Sequence, residues 1–314
     1  MPDSPSPAPA RGVGIGIFSP SGRANAAQVA AGAAWLTSRG HRVVTSPQAL
    51  LEWRYFGGDD AARAEGFHRL LDDPSLDVLM ASRGGYGLTR ILPLIDWRRV
   101  RRARKALVGF SDFTALNCAA LARAGLSSFH GPMVGVDFGD GEPDAFMRAH
   151  FDAALFGTGD TVAVETEPHA APARLRGTLW GGNLSLLAHL AGTPYLPRVR
   201  GGILYVEEIG EQPYAVERMF MQLAHAGVLR DQRAILLGDF TDCTPTNTQR
   251  YAYAMPEVVE TLRGIAGCPV LEGLPFGHVA RKLTLPFGMP GTVTIGSGGY
   301  TVSWPGLPRR PARR

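Results

Sequence analysis

The segment that decides the fold reads Ala106-Leu107-Val108-Gly109-Phe110-Ser111-Asp112-Phe113-Thr114. It begins with a short apolar run typical of a buried strand, and an amphipathic stretch follows directly, so a strand is predicted to turn into a helix at Ser111. A side chain at such a turn projects from the carboxyl end of a sheet, where the first helical amides are free to stabilise an oxyanion. Two interpretations of Ser111 are open from this segment alone: a nucleophile, or a helix N-cap, a position that serine favours.

The same alternation of short apolar runs with helical patterns extends through the first half of the chain. It predicts strands at Val13–Phe18, His41–Thr45, Asp77–Ala81 and 106–110, and helices at Ala26–Ser38, Asp60–Leu71 and Asp112–Ala124. Strands that alternate with helices form a parallel, doubly wound sheet, whose ligands collect at the carboxyl ends of the strands. We therefore expect an α/β fold in which Ser111 and the segment Arg83-Gly84-Gly85-Tyr86-Gly87 face one crevice.

The chain divides near its middle. Residues 158–174 carry Gly, Thr, Pro and acidic residues without a helical period, which predicts a linker between an N-terminal domain at 12–157 and a smaller mixed α/β C-terminal domain at 175–304. The second domain is predicted to contain strands at Ile203–Val206 and Ala234–Leu237, a helix at Tyr214–Ala226 and further strands from Leu283 onward. The tails, 1–11 and 305–314, are rich in Pro, Ala and Arg, which predicts disorder.

Composition argues against several classes of function. The chain has 314 residues, is 45% hydrophobic and lacks an apolar run of membrane-spanning length or a signal peptide's apolar core, which predicts a soluble cytoplasmic protein without a membrane partner. The net charge is +4, and the basic run 98–105 has no interleaved aromatic residues after Trp97. No nucleic-acid motif accompanies that run, so we expect a solvated basic face and no nucleic-acid partner.

No pattern in the sequence calls for a metal or an organic cofactor. The three cysteines are odd in number and widely spaced, and no histidine and carboxylate cluster has metal-ligand spacing. The glycines of Gly12-Val13-Gly14-Ile15-Gly16 lie within a predicted strand rather than between a strand and a helix, which is a weak match to a dinucleotide fingerprint. We therefore expect no cofactor.

Three further features could complete a site around Ser111. The glycines around Tyr86 either let the backbone approach a ligand or form a tight turn with Tyr86 packed below. Glu207 and Glu208 end a predicted strand, and because side chains alternate along a strand, only one of them can face a given site. Among eight histidines, His278 is presented by a Pro- and Gly-punctuated loop, a preferred position for catalytic residues.

Serine, glutamate and histidine thus follow one another in the chain order of an α/β-hydrolase. The G-x-S-x-G motif of that fold is absent, because Phe113 stands where its second glycine would be. A lipase-like enzyme is therefore a poor fit.

The sequence resembles the LD-carboxypeptidase family of serine peptidases, which includes murein tetrapeptide LD-carboxypeptidases and microcin C immunity peptidases. The resemblance covers about residues 12 to 303 and rests on five segments in order. These are Arg83-Gly84-Gly85-Tyr86-Gly87 with Arg90-Ile91-Leu92-Pro93; Gly109-Phe110-Ser111-Asp112-Phe113-Thr114; Phe129-His130-Gly131-Pro132-Met133; Gly181-Gly182-Asn183-Leu184-Ser185 with Glu207-Glu208; and Gly277-His278 with Thr284-Leu285-Pro286-Phe287-Gly288.

The resemblance implies a flavodoxin-like N-terminal domain, a site between the two domains and a homodimer. It puts the nucleophile on Ser111, the acid on Glu207, with Glu208 as the alternative, and the base on His278. The implied reaction releases D-alanine from a cytoplasmic muropeptide tetrapeptide during cell-wall recycling, and it requires no metal. For the oxyanion hole, the candidates are the amides of Asp112, Gly85 and Tyr86.

Two other functions stay open at this point. An immunity-type peptidase would cleave an aminoacyl-nucleotide conjugate and stack aromatic residues on a purine, a role that the sequence does not assign to Trp180, Tyr195 or Trp53. A non-catalytic protein could sense muropeptides in the same crevice, although a pure binder has no need of Ser, His and Glu together. Arg90 and Arg281 are candidate ligands of substrate carboxylates, because arginine offers a bidentate fork.

Overall fold

Two β-sheets organise the chain in the computed structural model, which describes residues 12–157, 159–167, 169–246 and 253–306. The predicted tails at 1–11 and 307–314 lie outside the described residues. Pro305, which was also assigned to the C-terminal tail, instead ends a strand. Within the described residues, no helix is both long and apolar enough to cross a bilayer.

The first sheet contains six strands in the order β11-β5-β4-β3-β1-β2. Its strands are β1 (Gly14–Phe18), β2 (Arg42–Thr45), β3 (Val78–Ala81), β4 (Ala106–Gly109), β5 (Ser128–His130) and β11 (Leu285–Phe287). The first five are parallel and follow the flavodoxin-like order 2-1-3-4-5, which confirms the predicted parallel sheet.

The helices between these strands follow the predicted pattern. They are α1 (Ala26–Ser38), α2 (Asp60–Asp72), α3 (Leu88–Ile91), α4 (Trp97–Ala103), α5 (Thr114–Ala119), α6 (Val134–Asp137) and α7 (Ala145–Phe156). Side chains cap the longer ones: Asn25 accepts from two amides of α1, and Asp59 accepts from Ala62 at the start of α2. The predicted helix 112–124 is divided into a 3₁₀ turn at Ser111–Phe113, α5, and a π-helical end at Ala120–Ala124.

The second sheet is mixed and has seven strands in the order β10-β9-β8-β7-β12-β13-β6. Its strands are β6 (Gly159–Glu165), β7 (Ala173–Asn183), β8 (Gly202–Ile209), β9 (Ala234–Thr241), β10 (Val270–Leu271), β12 (Met289–Gly296) and β13 (Gly299–Pro305). The helices α8 (Leu184–Leu190), α9 (Pro213–His225) and α10 (Met255–Ala266) accompany its parallel half. The predicted mixed α/β character of this part is confirmed.

Two segments pair differently from expectation, while the division into two domains stays a prediction. Residues 159–165 of the expected linker form β6, an edge strand that pairs with β13 and alternates buried Val162 and Val164 with exposed neighbours. That alternation is the sign of a half-buried strand, and the glycine and acidic residues around it obscured it. In addition, β11, which was expected in the C-terminal domain, adds an antiparallel edge to the first sheet by pairing with β5.

The two sheets share one buried apolar cluster. Phe113 and Leu116, which follow the β4 turn, belong to the same cluster as Leu187 of α8 and Val206 of β8. The carboxyl end of β4 is therefore held against the second sheet, and β11 brings the segment after His278 back to the first sheet.

Candidate active site

Ser111 lies at the strand-to-helix turn in a strained backbone conformation. It follows extended Phe110 and has φ +62°, in the left-handed region that costs a non-glycine residue about 1–2 kcal/mol. The N-cap position falls on Phe110, and the Ser111 hydroxyl faces the side chain of His278 rather than a helical amide. The N-cap interpretation of Ser111 is therefore wrong, and the strained residue is half-buried with its hydroxyl against His278. Backbone strain of this kind clusters at functional sites.

The imidazole of His278 lies between Ser111 and Glu207. Its Nε2 is 3.0 Å from Ser111 Oγ, and its Nδ1 is 2.7 Å from Glu207 Oε2. Because a carboxylate only accepts, the Nδ1–H donates to Glu207, which leaves Nε2 free to accept the serine proton. The Phe110 ring packs edge-on against the imidazole at 5.0 Å, and the side chain of His278 is 17% exposed, so a substrate can still reach the site.

The two adjacent glutamates have different partners. Glu207 faces His278, whereas the Glu208 carboxylate accepts from Asn183 Nδ2 at 2.8 Å and from the amide of Ser185 at 2.7 Å. A register shift between Val206 and Glu208 in the pairing of β8 with β9 marks a bulge at this point. Burial raises the pKa of the Glu208 carboxyl, and its hydrogen bonds hold the turn from β7 into α8. The structure thus orients Glu207, not Glu208, toward the histidine.

Among the residues of the glycine-rich segment, Gly84 is packed directly against the nucleophile candidate. A Cβ at Gly84 would lie 3.0 Å from Ser111 Cβ and 3.1 Å from Ser111 Oγ, so only glycine fits without a shift. A Cβ at Gly85 would instead meet the Tyr55 hydroxyl at 2.4 Å. Sequence reasoning singled out Gly85 and Tyr86 and missed Gly84, because the motif does not reveal which glycine faces the turn.

The Asp112 side chain, to which sequence reasoning assigned no role, is hydrogen-bonded to the residue that directly follows the glycine-rich segment. Its Oδ2 accepts from Ser21 Oγ at 2.6 Å and from the Leu88 amide at 2.9 Å, and the buried position raises the pKa of its carboxyl. The turns that follow β1, β3 and β4 are thereby tied together at one carboxylate.

A second support was also missed. The guanidinium of Arg63 is fully buried, and its Nη1 donates to the carbonyls of Pro20 at 2.6 Å and Gly87 at 2.9 Å. An arginine in an amphipathic helix pattern gives no signal of such a role, since most helical arginines are solvated.

The arginine fork of Arg90 is already engaged. Its Nε and Nη2 donate to the two Asp60 oxygens at 3.0 and 2.6 Å, and this pair lowers the pKa of the Asp60 carboxyl. Arg281 instead lies over the Phe146 ring, 3.9 Å from its centroid. The ion pair does not favour the predicted role of Arg90 as a substrate-carboxylate ligand, which stays a prediction, as does that of Arg281.

Of the three aromatic candidates for stacking, two are buried or packed in the protein. Trp180 is 1% exposed and donates its indole N–H to Gln232, and Tyr195 packs near Trp97 with ring centroids 6.4 Å apart. Trp53 is on the surface, in a group of exposed rings with Tyr55 and Tyr86 that sequence reasoning did not recognise. Through Tyr55, this group adjoins Gly85 beside the site.

The described residues contain no group of three or more His, Cys, Asp and Glu side chains that could hold a metal ion. At the site itself, a serine hydroxyl, an imidazole and a carboxylate stand in hydrogen-bonded order.

Comparison with known proteins identifies two adjacent family matches. Residues 15–131 match the model of the LD-carboxypeptidase N-terminal domain, and residues 176–293 match the model of the LD-carboxypeptidase C-terminal domain. A Streptomyces coelicolor protein named as a candidate carboxypeptidase is 40% identical over 81% of this chain and 80% of its own. The murein tetrapeptide carboxypeptidase of Pseudomonas aeruginosa is 32% identical over 75% of this chain and 78% of its own.

Solved structures show the same fold. A muramoyltetrapeptide carboxypeptidase from Oxalobacter formigenes superimposes with a TM-score of 0.88 at 34% identity, covering 95% of this chain and all of that one. The self-immunity protein MccF, in complex with glutamyl sulfamoyl guanosine, superimposes with a TM-score of 0.83 at 25% identity over 95% of this chain and 97% of that one.

Proposed function

Because the chain belongs to the LD-carboxypeptidase family, we propose that it is a serine carboxypeptidase that hydrolyses the L-to-D peptide bond of muropeptide tetrapeptides and releases D-alanine. The observation that carries this proposal is the position of the His278 imidazole, with Glu207 at 2.7 Å on one nitrogen and Ser111 at 3.0 Å on the other. The Pseudomonas and Oxalobacter relatives, named for murein and muramoyl tetrapeptides, support the substrate class.

The proposed mechanism is acyl transfer. Ser111 Oγ attacks the scissile carbonyl while His278 Nε2 takes the serine proton, and Glu207 stabilises the imidazolium that forms. His278 then gives this proton to the departing amine of D-alanine. Water, deprotonated by the same imidazole, cleaves the acyl-enzyme and regenerates the Ser111 hydroxyl.

The developing oxyanion needs hydrogen-bond donors near Ser111. The amides of Asp112, Gly85 and Tyr86 remain our candidates: Asp112 is in the first turn after the nucleophile, where amides lack helical acceptors. The close approach of Gly84 to Ser111 brings the glycine-rich backbone to the same place. Loss of one such donor costs about 3 kcal/mol of transition-state stabilisation in other serine enzymes.

A second candidate is cleavage of an aminoacyl-nucleotide conjugate. The exposed rings of Trp53, Tyr55 and Tyr86 favour it, because aromatic rings beside the nucleophile can stack on a nucleobase. The likeness to an immunity protein that binds glutamyl sulfamoyl guanosine supports the same chemistry.

Parallel incubations with a muropeptide tetrapeptide and with an aminoacyl sulfamoyl nucleoside test these candidates. Release of D-alanine supports the first function, and cleavage of the conjugate supports the second. Binding without turnover of either compound would instead support the muropeptide-sensing alternative. Ser111→Ala is the matched control in each incubation, and a chelator is expected to leave turnover unchanged.

The cytoplasmic location and the homodimer implied by family resemblance are parts of this proposal. Light scattering of the purified protein tests the dimer, and a molar mass equal to one chain at micromolar concentration would contradict it. Fractionation of cells that produce the tagged full chain tests the location.

A further inference from the structure

His130, in the Phe129-His130-Gly131-Pro132 segment, has no part in the proposed chemistry but contacts Thr114, after β4, and Tyr205 of β8. It ends β5, next to β4, and is completely buried among the rings of Tyr205, Phe276 and Phe287. Gly182 lies against the ring so closely that a Cβ there would be 2.3 Å from His130 Cε1. Burial lowers the pKa of His130 to about 3, so the imidazole is neutral at neutral pH.

The hydrogen bonds of His130 select one tautomer. The Tyr205 hydroxyl donates to the Pro286 carbonyl at 3.2 Å, so it accepts from His130 Nδ1–H, 3.3 Å away. His130 Nε2 is then an acceptor and takes the hydroxyl proton of Thr114 at 2.9 Å. Thr114 Oγ1 in turn accepts from the Asn183 amide at 3.0 Å. The hydrogen bonds therefore run in one direction, from the Asn183 amide and Thr114 to His130, and from His130 through Tyr205 to the Pro286 carbonyl.

This series of hydrogen bonds connects the turn that carries Ser111 with the strand that carries Glu207. Thr114 is three residues after Ser111, one helical turn along, and Tyr205 is two residues before Glu207 on β8. Since side chains two apart on a strand share a face, Tyr205 and Glu207 point to the same side of the second sheet. The backbone of Asn183 also pairs in register with Glu207.

We infer that His130 is a positioning residue, which holds the Ser111 turn of the first sheet at a fixed distance from the Glu207 strand of the second. The inference rests on the proposed serine hydrolase function. A displacement of about 1 Å between reacting groups can cost about 100-fold in rate, so a rigid link between the two elements has a catalytic consequence.

The test removes one hydroxyl at a time without changing shape. Thr114→Val and Tyr205→Phe each break one end of the chain, and Thr114→Ser keeps the hydroxyl. Ser128→Ala is the matched control, because Ser128 is buried on the same strand and its hydroxyl has no hydrogen-bond partner among the described residues. Turnover is measured per folded enzyme, together with KM, thermal midpoint and the rate at which a fluorophosphonate ester modifies Ser111.

In the fluorophosphonate reaction, Ser111 Oγ forms a bond to phosphorus, fluoride leaves, and His278 takes the proton, so the probe reports nucleophile geometry without the natural substrate. We expect Thr114→Val and Tyr205→Phe each to lower kcat and the modification rate about tenfold or more, with KM within about twofold. Thr114→Ser should recover most of the loss. The double variant should lose less than the product of the two single losses, because both break the same chain.

The result that would overturn the inference is a lower thermal midpoint in both variants with kcat and modification rate per folded enzyme equal to those of Ser128→Ala. A failure of the proposed function is distinguishable from this result. In that case, Ser111→Ala would still turn over substrate, or the fluorophosphonate would not modify Ser111 in the unaltered protein.

Discussion

His278 Nε2 lies 3.0 Å from Ser111 Oγ, although 167 residues separate the two in the chain and they follow strands of different sheets. A contact of this kind needs both sheets to be docked, so the native fold itself assembles the nucleophile and its base. In Ser111→Ala, the base has no hydroxyl to activate, and we expect kcat to fall by about 10⁴-fold to 10⁶-fold. D-alanine release measured on a folded sample checks this, and retained turnover would remove Ser111 from the mechanism.

The backbone conformation of Ser111 predicts that one substitution which abolishes activity also raises stability. At φ +62°, a residue with a Cβ is strained, whereas glycine is not. Ser111→Gly should therefore unfold at higher urea concentration than Ser111→Ala, by about 1 kcal/mol in the free energy of unfolding. Both variants lack the hydroxyl, so the comparison isolates the backbone. Equal stabilities would mean that the strain is absent in solution.

The adjacent glutamates provide a matched pair of variants. Glu207→Gln keeps the shape but removes the charge that stabilises the imidazolium of His278, so kcat should fall about 10³-fold to 10⁴-fold with little change in stability. Glu208→Gln turns an amide N–H toward the donors of Asn183 or Ser185, which costs about 1–3 kcal/mol of stability. Its loss of kcat per folded enzyme should be far smaller. A larger loss of kcat in Glu208→Gln than in Glu207→Gln would instead assign the catalytic role to Glu208.

The parts of the fold that sequence reasoning predicted are those with a strong local period. The strands β1, β3 and β4 and the helices α1 and α2 have repeating apolar positions, and their predicted bounds differ from the observed ones by one residue or less. By contrast, the sequence pattern predicts a linker where β6 lies, since only Val162 and Val164 mark the buried face of this strand. The place of β11 in the first sheet depends on pairing with β5, more than 150 residues away, which no local pattern encodes.

The residues of the site likewise divide into those that the sequence predicted and those that only the structure revealed. Ser111, His278 and the glutamate pair were identified from loop and strand-end positions and from family resemblance. The choice between Glu207 and Glu208 needed the pairing of β8 with β9, in which β9 carries one extra residue. The support by Arg63 and the Asp112 side chain needed the packing of distant turns. Register and tertiary hydrogen bonding are set by the whole fold, so single-sequence patterns do not reveal them.

The approach of Gly84 to Ser111 predicts the effect of one added methyl group. In Gly84→Ala, the new Cβ would lie 3.0 to 3.1 Å from the Ser111 side chain and would displace the hydroxyl from His278. We expect kcat to fall about 10-fold to 100-fold.

Gly264→Ala is the control for Gly84→Ala, because Gly264 is in the last turn of α10 and a Cβ there meets nothing within 4 Å. The control should gain about 0.5–1 kcal/mol of stability and keep its activity. Equal kcat values for the two variants would show that the Ser111 side chain tolerates the methyl group.

The buried His130 predicts how stability depends on pH. Burial lowers its pKa from 6.5 to about 3, so the unfolded chain binds the proton more tightly than the folded chain. The stability associated with the neutral imidazole is therefore fully present above about pH 6.5 and declines as the pH falls toward 3. Between pH 6.5 and 4.5, the loss is about 2 kcal/mol, since one unit of pKa corresponds to about 1.4 kcal/mol.

His130→Gln has no group that titrates in this range at that position, whereas His41 and His68, whose pKa values are also lowered, are common to both proteins. We therefore expect the stability advantage of the unaltered protein over His130→Gln, measured by urea unfolding, to shrink by about 2 kcal/mol from pH 6.5 to 4.5. Parallel stability curves would mean that His130 either accepts a proton within the folded protein or is reached by water. Either outcome would contradict the inference that a neutral His130, shielded from water, links the two sheets by hydrogen bonds.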